Sequence, residues 1–286
     1  MPIKTILLPV DGTEASKPGL EMALKMAPAF EAHIEVLHVR ADAKDAVPLL
    51  GEGMSGAMIE EMIDMAETES GQRATAARAM FDNTCGAATI PVKEAADGAP
   101  GASVSWHEET GREDEITATR ALLADMIMMT RPSPDSEVSA TLTLNAALFE
   151  SARPVLLAPP QGGIVPGAHA VIAWNGSPQV SRAVRTALPL LAKTGKITVV
   201  TFDARGDVTP GGEDVARYLA WHGIDAAVQS TSSEGSGTAL LNVCGELGAD
   251  LLVMGAYTHS RLRQLIMGGV TRHILDNASI PVLMAH

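Results

Sequence analysis

The sequence predicts two tandem doubly wound α/β units, each a parallel sheet covered by helices on both faces, and three observations carry that expectation. Short apolar runs alternate with amphipathic stretches of helical length along the whole chain, which is how buried parallel strands and their covering helices read in sequence. The pattern occurs twice: ADMIMMTR (124–131) resembles ADLLVMGA (249–256), ARPVLLAP (152–159) resembles SIPVLMAH (279–286), and VDGTEASKPGLEMAL (10–24) resembles WNGSPQVSRAVRTAL (174–188). Between the copies lies PPQGGIVPGA (159–168), rich in proline and glycine and without helical or strand period. The expected units are therefore residues 1–158 and 169–286, joined by a linker at 159–168.

Taken in order, the first copy predicts strands at 6–10, 33–40, 103–108, 126–130 and 155–158, with helices at 14–28, 56–81, 116–123 and 138–150. The second predicts strands at 170–174, 196–202, 224–229, 250–254 and 281–285, with helices at 178–192, 212–222, 237–247 and 269–277. Insertions at 41–53 and 84–101 lengthen the first copy. The second insertion, rich in Ala, Gly and Pro, predicts a mobile loop. The final strands, 154–158 and 281–285, are short and apolar, and each would leave an exposed sheet edge. They are expected to pair the two halves with each other.

Composition sets the function classes. With 286 residues, 46% of them apolar, the chain can bury a large core, and disorder is excluded as its main state. Lys and Arg number 21 against 34 Asp and Glu, a formal charge of −13, which repels nucleic-acid phosphates and anionic membrane surfaces. The opening MPIKTILLPVDG is too short an apolar run for a secretory core, and no stretch approaches the ~20 apolar residues that span a bilayer. A cytoplasmic location is expected. Cys85 and Cys244 lie far apart without a CxxC motif and read as inert or buried thiols, and the histidines lack HExxH spacing.

Several motifs are weighed and set aside. GEGMSG (51–56) satisfies G-x-G-x-x-G but lies in an insertion away from the first strand, so it reads as a helix-entry loop. Neither a P-loop nor a G-x-S-x-G nucleophile elbow is present. The segment MGAYTHSRLRQLIMGGVTRH (254–273) differs from these, because its first glycine ends a predicted strand and its glycine pair opens a predicted helix. Ligands bind doubly wound sheets at strand ends of this kind, and a helix N-terminus offers free backbone N–H groups to an anion.

This segment resembles the universal stress protein family, whose ATP-binding members carry G-x2-G-x9-G-[ST] there, and the resemblance runs over nearly the whole chain in two copies. It implies a Rossmann-like, adenine nucleotide alpha hydrolase-like fold. The spacing is kept while two letters depart: Gly255, then Thr258 in place of the second glycine, then Gly268, then Gly269 in place of Ser or Thr. Thr271 offers a hydroxyl nearby, and Arg261, Arg263 and Arg272 bring positive charge. In the first copy Asp11 stands where the family's aspartate reaches the adenosine end of ATP, but the loop MTRPSPDSEVSATLTLN contains no glycine. In the second copy Asn175 replaces the aspartate, keeping hydrogen bonding without the charge.

From the resemblance follows the expectation of a stress-response regulatory or protective module without committed chemistry of its own. ATP or another adenine nucleotide, with Mg2+, would be held in the C-terminal half by Asn175, Gly255, Thr258, Gly268, Gly269, Val270 and Thr271. A homo-oligomer, commonly a homodimer, and a protein partner are also implied. The alternatives are a slow nucleotide hydrolase, for which only His259 and His273 stand near the glycines, and a scaffold with vestigial pockets.

Overall fold

The computed structural model describes residues 2–43, 55–95, 99–133, 136, 138–202, 208–231, 235–256 and 269–286. The first half runs β1 (Thr5–Pro9), α1 (Lys17–Phe30), β2 (His33–Arg40), α2 (Gly56–Ala88), β3 (Ser103–Thr110), α3 (Glu113–Ala121), β4 (Met126–Thr130), α4 (Val138–Phe149) and β5 (Val155–Ala158). The second repeats the series as β6 (His169–Trp174), α5 (Pro178–Leu191), β7 (Lys196–Phe202), α6 (Gly212–Ala220), β8 (Ala227–Thr231), α7 (Gly237–Leu247), β9 (Leu251–Gly255), α8 (Gly269–Asn277) and β10 (Val282–Ala285).

All ten strands form one sheet in the order β3-β2-β1-β4-β5-β10-β9-β6-β7-β8. Every adjacent pair is parallel except one. At the centre β10 runs antiparallel to β5, with Val282 opposite Leu157, Leu283 opposite Leu156 and Met284 opposite Val155. The expected pairing of the final strands is therefore the joint between the halves. Its physical reason is burial: every residue of both strands is buried, so neither edge would tolerate water.

Two apolar layers cover the sheet. Leu20 of α1, Phe81 of α2, Val184 of α5 and Leu219 of α6 pack on one face. On the other lie Ala121 of α3, Leu144 of α4, Leu240 of α7 and Ile274 of α8. Equivalent helices of the two copies thus share a face while their strands run in opposite directions. The halves are related by an approximate two-fold axis through the sheet, and the C-terminal strand ends of the two halves open at opposite ends of it.

Helix starts follow their capping residues. Ser177 accepts from the Val180 N–H at 3.3 Å before α5, and Ser236 accepts from the Ala239 N–H at 3.1 Å before α7. Ser55 caps α2 in the same way, so the end of GEGMSG is helix entry; its residues 51–54 lie outside the described residues. The start of the second insertion departs from expectation, since α2 continues to Ala88 instead of ending at Phe81. Ala77, Phe81 and Cys85 keep a buried stripe at helical spacing, which holds the extra turns against the sheet until Thr89 adopts the left-handed conformation. Beyond it Val92 bridges Val104 of β3. Both cysteines are buried and unpaired, and burial pushes the Cys85 thiol up to about 11 and Cys244 up to about 12.

Candidate functional site

In each half the first and fourth strands lie side by side and their C-terminal ends open together, which is the switch point of a doubly wound sheet. What the sequence places there differs between the copies.

In the first half β1 runs into Asp11-Gly12-Thr13. One carboxylate oxygen of Asp11 accepts from the Thr13 N–H and Thr13 hydroxyl, both at 2.8 Å, and from the Ser16 hydroxyl. That oxygen organises the turn into α1, while the other oxygen carries no bond among the described residues. Gly12 sits at φ +83 with the Arg73 carbonyl of α2 directly against it, so a Cβ there would collide with the α2 backbone. Helix α2 is thereby seated over the end of β1.

At the end of β4 stand Thr130 and Arg131. The Thr130 hydroxyl accepts from the Gly19 N–H at 2.8 Å and donates to the Ser16 carbonyl at 3.2 Å, closing the strand end onto α1. Arg131 is buried and turns away toward the other half. Its guanidinium donates to the carbonyls of Ile274, Leu275 and Ala278 at the C-terminal end of α8. Burial lowers its pKa, with Asp276 acting in the opposite direction.

Beside this point a cavity of about 680 Å³ opens between the ends of β1 and β2, the start of α3, and helices α2 and α4. His38 of β2 lines it, 2% exposed. Its Nδ1 donates to the Val10 carbonyl at 2.8 Å, and its ring stacks on Trp106 at 6.1 Å. Among the described residues the lining carries five carboxylates and three guanidiniums. Arg73 lies 2.8 Å from Glu69, Arg112 lies 2.7 Å from Asp114, and Arg40 lies 3.8 Å from Glu108. The hydrogen bond from Arg112, with burial opposing it, holds the Asp114 carboxyl below the usual carboxylate range.

In the second half, β6 ends at Trp174 and is followed by exposed Asn175, whose side-chain oxygen accepts from the Ser177 N–H at 3.1 Å. Its amide nitrogen carries no bond among the described residues. Gly255 closes β9, and a Cβ there would lie 2.5 Å from the Val180 N of α5. This glycine lets the strand end and the first turn of α5 touch. The copies exchange roles here: the first has a glycine on the helix, Gly19, against a threonine on the strand, and the second has the glycine on the strand. Gly269 begins α8 with no atom of another described residue within 4 Å of where a Cβ would stand, Val270 is 36% exposed, and Thr271 is buried. Thr258 and Gly268 lie outside the described residues, as do His259, Arg261 and Arg263. Arg272 faces Asp276 at 3.6 Å, and His273 approaches the Thr238 hydroxyl at 3.2 Å.

Of the residues singled out in the sequence, Asn175 and Gly255 stand at neighbouring strand ends, with Gly269, Val270 and Thr271 in the first turn of α8. No group of three or more His, Cys, Asp or Glu side chains suited to a metal ion occurs among the described residues. Sequence reasoning missed His38, Arg40 and Arg131. The available signal was modest: polar residues two apart at the end of an otherwise apolar strand, and an arginine directly after MIMMT.

The universal stress protein family model matches residues 2–136 and 220–286. A curated relative, universal stress protein Slr1230 of Synechocystis sp., is 56% identical over 34 residues, and the match spans only 12% of this chain and 12% of that protein. Among solved structures, a universal stress protein from Archaeoglobus fulgidus DSM 4304 superposes with a TM-score of 0.70 at 20% identity, over 98% of this chain and 97% of the other. A putative universal stress protein from Pseudomonas aeruginosa UCBPP-PA14 gives a TM-score of 0.53 at 14% identity, over 99% and 93% of the two chains. These two likenesses carry the fold.

Proposed function

Because the chain belongs to the universal stress protein family, we propose that it is a two-unit stress-response regulatory module that holds an adenine nucleotide in its C-terminal half. The units are residues 1–158 and 169–286, and the module works in the cytoplasm as a homo-oligomer. Asn175, Gly255, Thr258, Gly268, Gly269, Val270 and Thr271 would hold ATP with Mg2+. The Asn175 amide would face the nucleoside, and the N–H groups at the start of α8 would face the phosphates.

The observation that carries the choice of half is the fate of Thr130 and Arg131. At the strand end where nucleotide-binding relatives open a glycine loop, the first half has a threonine tied to α1 and an arginine tied to the far end of α8. The corresponding residues of the second half are Gly255 and Ala256, and the helix that follows begins with a glycine that no other described residue crowds. The backbone N–H groups at the start of α8 would take the anion. We place no bond-breaking step here: His273 approaches the Thr238 hydroxyl at 3.2 Å, and no carboxylate is paired with it among the described residues.

The test is the absorbance spectrum and native mass of the protein purified without added nucleotide. The expected result is excess absorbance at 260 nm and one adenine nucleotide per chain. A nucleotide-free protein that also takes up no ATP on addition would favour the scaffold reading.

A further inference from the structure

We infer that the first part of helix α2, residues 56–69, is a docking arm for a cationic amphipathic helix of a partner protein. The inference does not depend on nucleotide, since none of these residues belongs to the site proposed above.

The repeat within the chain supplies the comparison. Helices α2 and α6 hold equivalent places, each between the second and third strands of its half, yet α6 covers its strands with Gly212–Ala220 while α2 runs from Gly56 to Ala88. The buried residues of α2 begin only at Ser70 and continue through Ala74, Ala77, Met80, Phe81 and Cys85. Residues 56–69, about 20 Å of helix, include no buried residue and so are not needed to cover the sheet. A stretch of this length is marginal as a helix unless its apolar side packs on something.

The apolar side is present and divides into two rows. Ile59, Ile63 and Ala66, at spacings of four and three, continue the buried stripe of Ser70, Ala74 and Ala77 and are themselves partly buried. Met58, Met62 and Met65 repeat that spacing on the adjoining flank, where Met58 is 52% and Met65 67% exposed. The methionine row has the four-three spacing by which one helix seats another. Methionine is unbranched and polarisable, so it adapts to apolar side chains of varied shape. On the remaining side stand Glu60, Glu61, Asp64 and Glu67, with Glu69 at the end, and residues 56–72 contain neither Lys nor Arg. Glu69 faces Arg73 at 2.8 Å, whereas the other four carry no ion pair among the described residues.

Charge selects the occupant. Glu60 and Asp64, Glu61 and Asp64, and Asp64 and Glu67 are like-charge neighbours at helical spacing, a repulsion that lysines or arginines would relieve. A second copy would bring the same carboxylates against these, and nucleic acid or an anionic membrane would be repelled. A helix with large apolar side chains on one side and lysine or arginine flanking them answers both the methionine row and the carboxylates.

The test is titration of the full-length protein with three synthetic peptides of about 14 residues: a leucine–lysine amphipathic helix, its leucine–glutamate counterpart, and a serine–lysine peptide of the same charge without an apolar side. The leucine–lysine peptide is expected to bind at least about tenfold tighter than either of the others and to slow hydrogen exchange within residues 56–69. Met58→Gln with Met65→Gln, at exposed positions where glutamine keeps the helix, is expected to weaken that binding about fivefold or more and leave the thermal melt unchanged, while Met58→Leu with Met65→Leu retains it. Glu61→Gln with Asp64→Asn should weaken it and flatten its salt dependence. The inference is overturned if the serine–lysine peptide binds equally well, if the glutamine variant binds like the wild type, if the leucine variant loses binding as the glutamine variant does, or if exchange does not slow in residues 56–69. A wild-type dimer that the glutamine variant turns into a monomer would overturn it in favour of a second copy.

Discussion

Arg131 donates from Nη2 to the main-chain carbonyl of Ala278 at 2.5 Å, and so joins the end of β4 in one half to the C-terminal end of α8 in the other. Further bonds from Nη1 reach the carbonyls of Ile274 and Leu275. A helix leaves its last carbonyls without intrahelical partners, and a buried guanidinium is well matched to them in charge and geometry. The residue that opens the degenerate loop of the first copy thus fixes the helix whose other end is the proposed phosphate contact.

Arg131→Met keeps most of the side-chain volume and removes every donor. The expected outcome is a loss of about 2–4 kcal/mol in urea unfolding, from the Leu275 and Ala278 carbonyls left unpaired together. Hydrogen exchange should quicken in the last turn of α8 and leave α1 unaffected. An unchanged midpoint would show that water takes over those carbonyls without cost.

Val282→Lys tests the joint between the halves. Val282 is fully buried opposite Leu157, in a strand pair with no wet side, so an ammonium there is desolvated without a partner. A loss of roughly 3 kcal/mol or more is expected, with cleavage between the halves, at residues 159–168, by added protease becoming faster. A melt equal to the wild type and no faster cleavage there would mean that the central strand pair does not hold the halves together.

Stability should also fall as the solution is acidified through the histidine range. His33 sits between the Ser103 and Ser105 hydroxyls at 2.8 and 3.0 Å. Burial lowers its pKa below 6.5, with Glu35 opposing and His107 and Lys93 adding to the fall. The unfolded chain therefore binds the proton more readily than the folded one. This contribution is fully present above the unfolded value and is lost as pH drops from it toward the folded value. His33→Gln, which stays neutral, should show a shallower decline in melting temperature between pH 7 and 5. Equal slopes for the two proteins would refute the assignment.

Much of the fold was legible because local chemistry carries it. The paired runs ADMIMMTR and ADLLVMGA lead into β4 and β9, and ARPVLLAP and SIPVLMAH contain β5 and β10, whose apolar edges announce that they must be covered. The extra length of α2 was hidden because its buried stripe of Ala77, Phe81 and Cys85 runs through residues of mixed, small side chains. Arg131 was illegible for a different reason: its partners lie more than a hundred residues away, and nothing local distinguishes a buried helix cap from a solvated loop arginine. At the proposed nucleotide site the spacing of glycines was legible, and the packing reason for Gly255 was not, since it depends on how closely α5 approaches β9.

The most direct test of the account is a crystal structure of the full chain soaked with ATP and Mg2+. The account predicts nucleotide density in the second half, with the base side near Asn175 and the phosphates at the start of α8 by Gly269. The Thr130–Arg131 end of β4 should remain bonded to α1 and α8. Phosphate density over Thr130 and Arg131, with none at the start of α8, would contradict it.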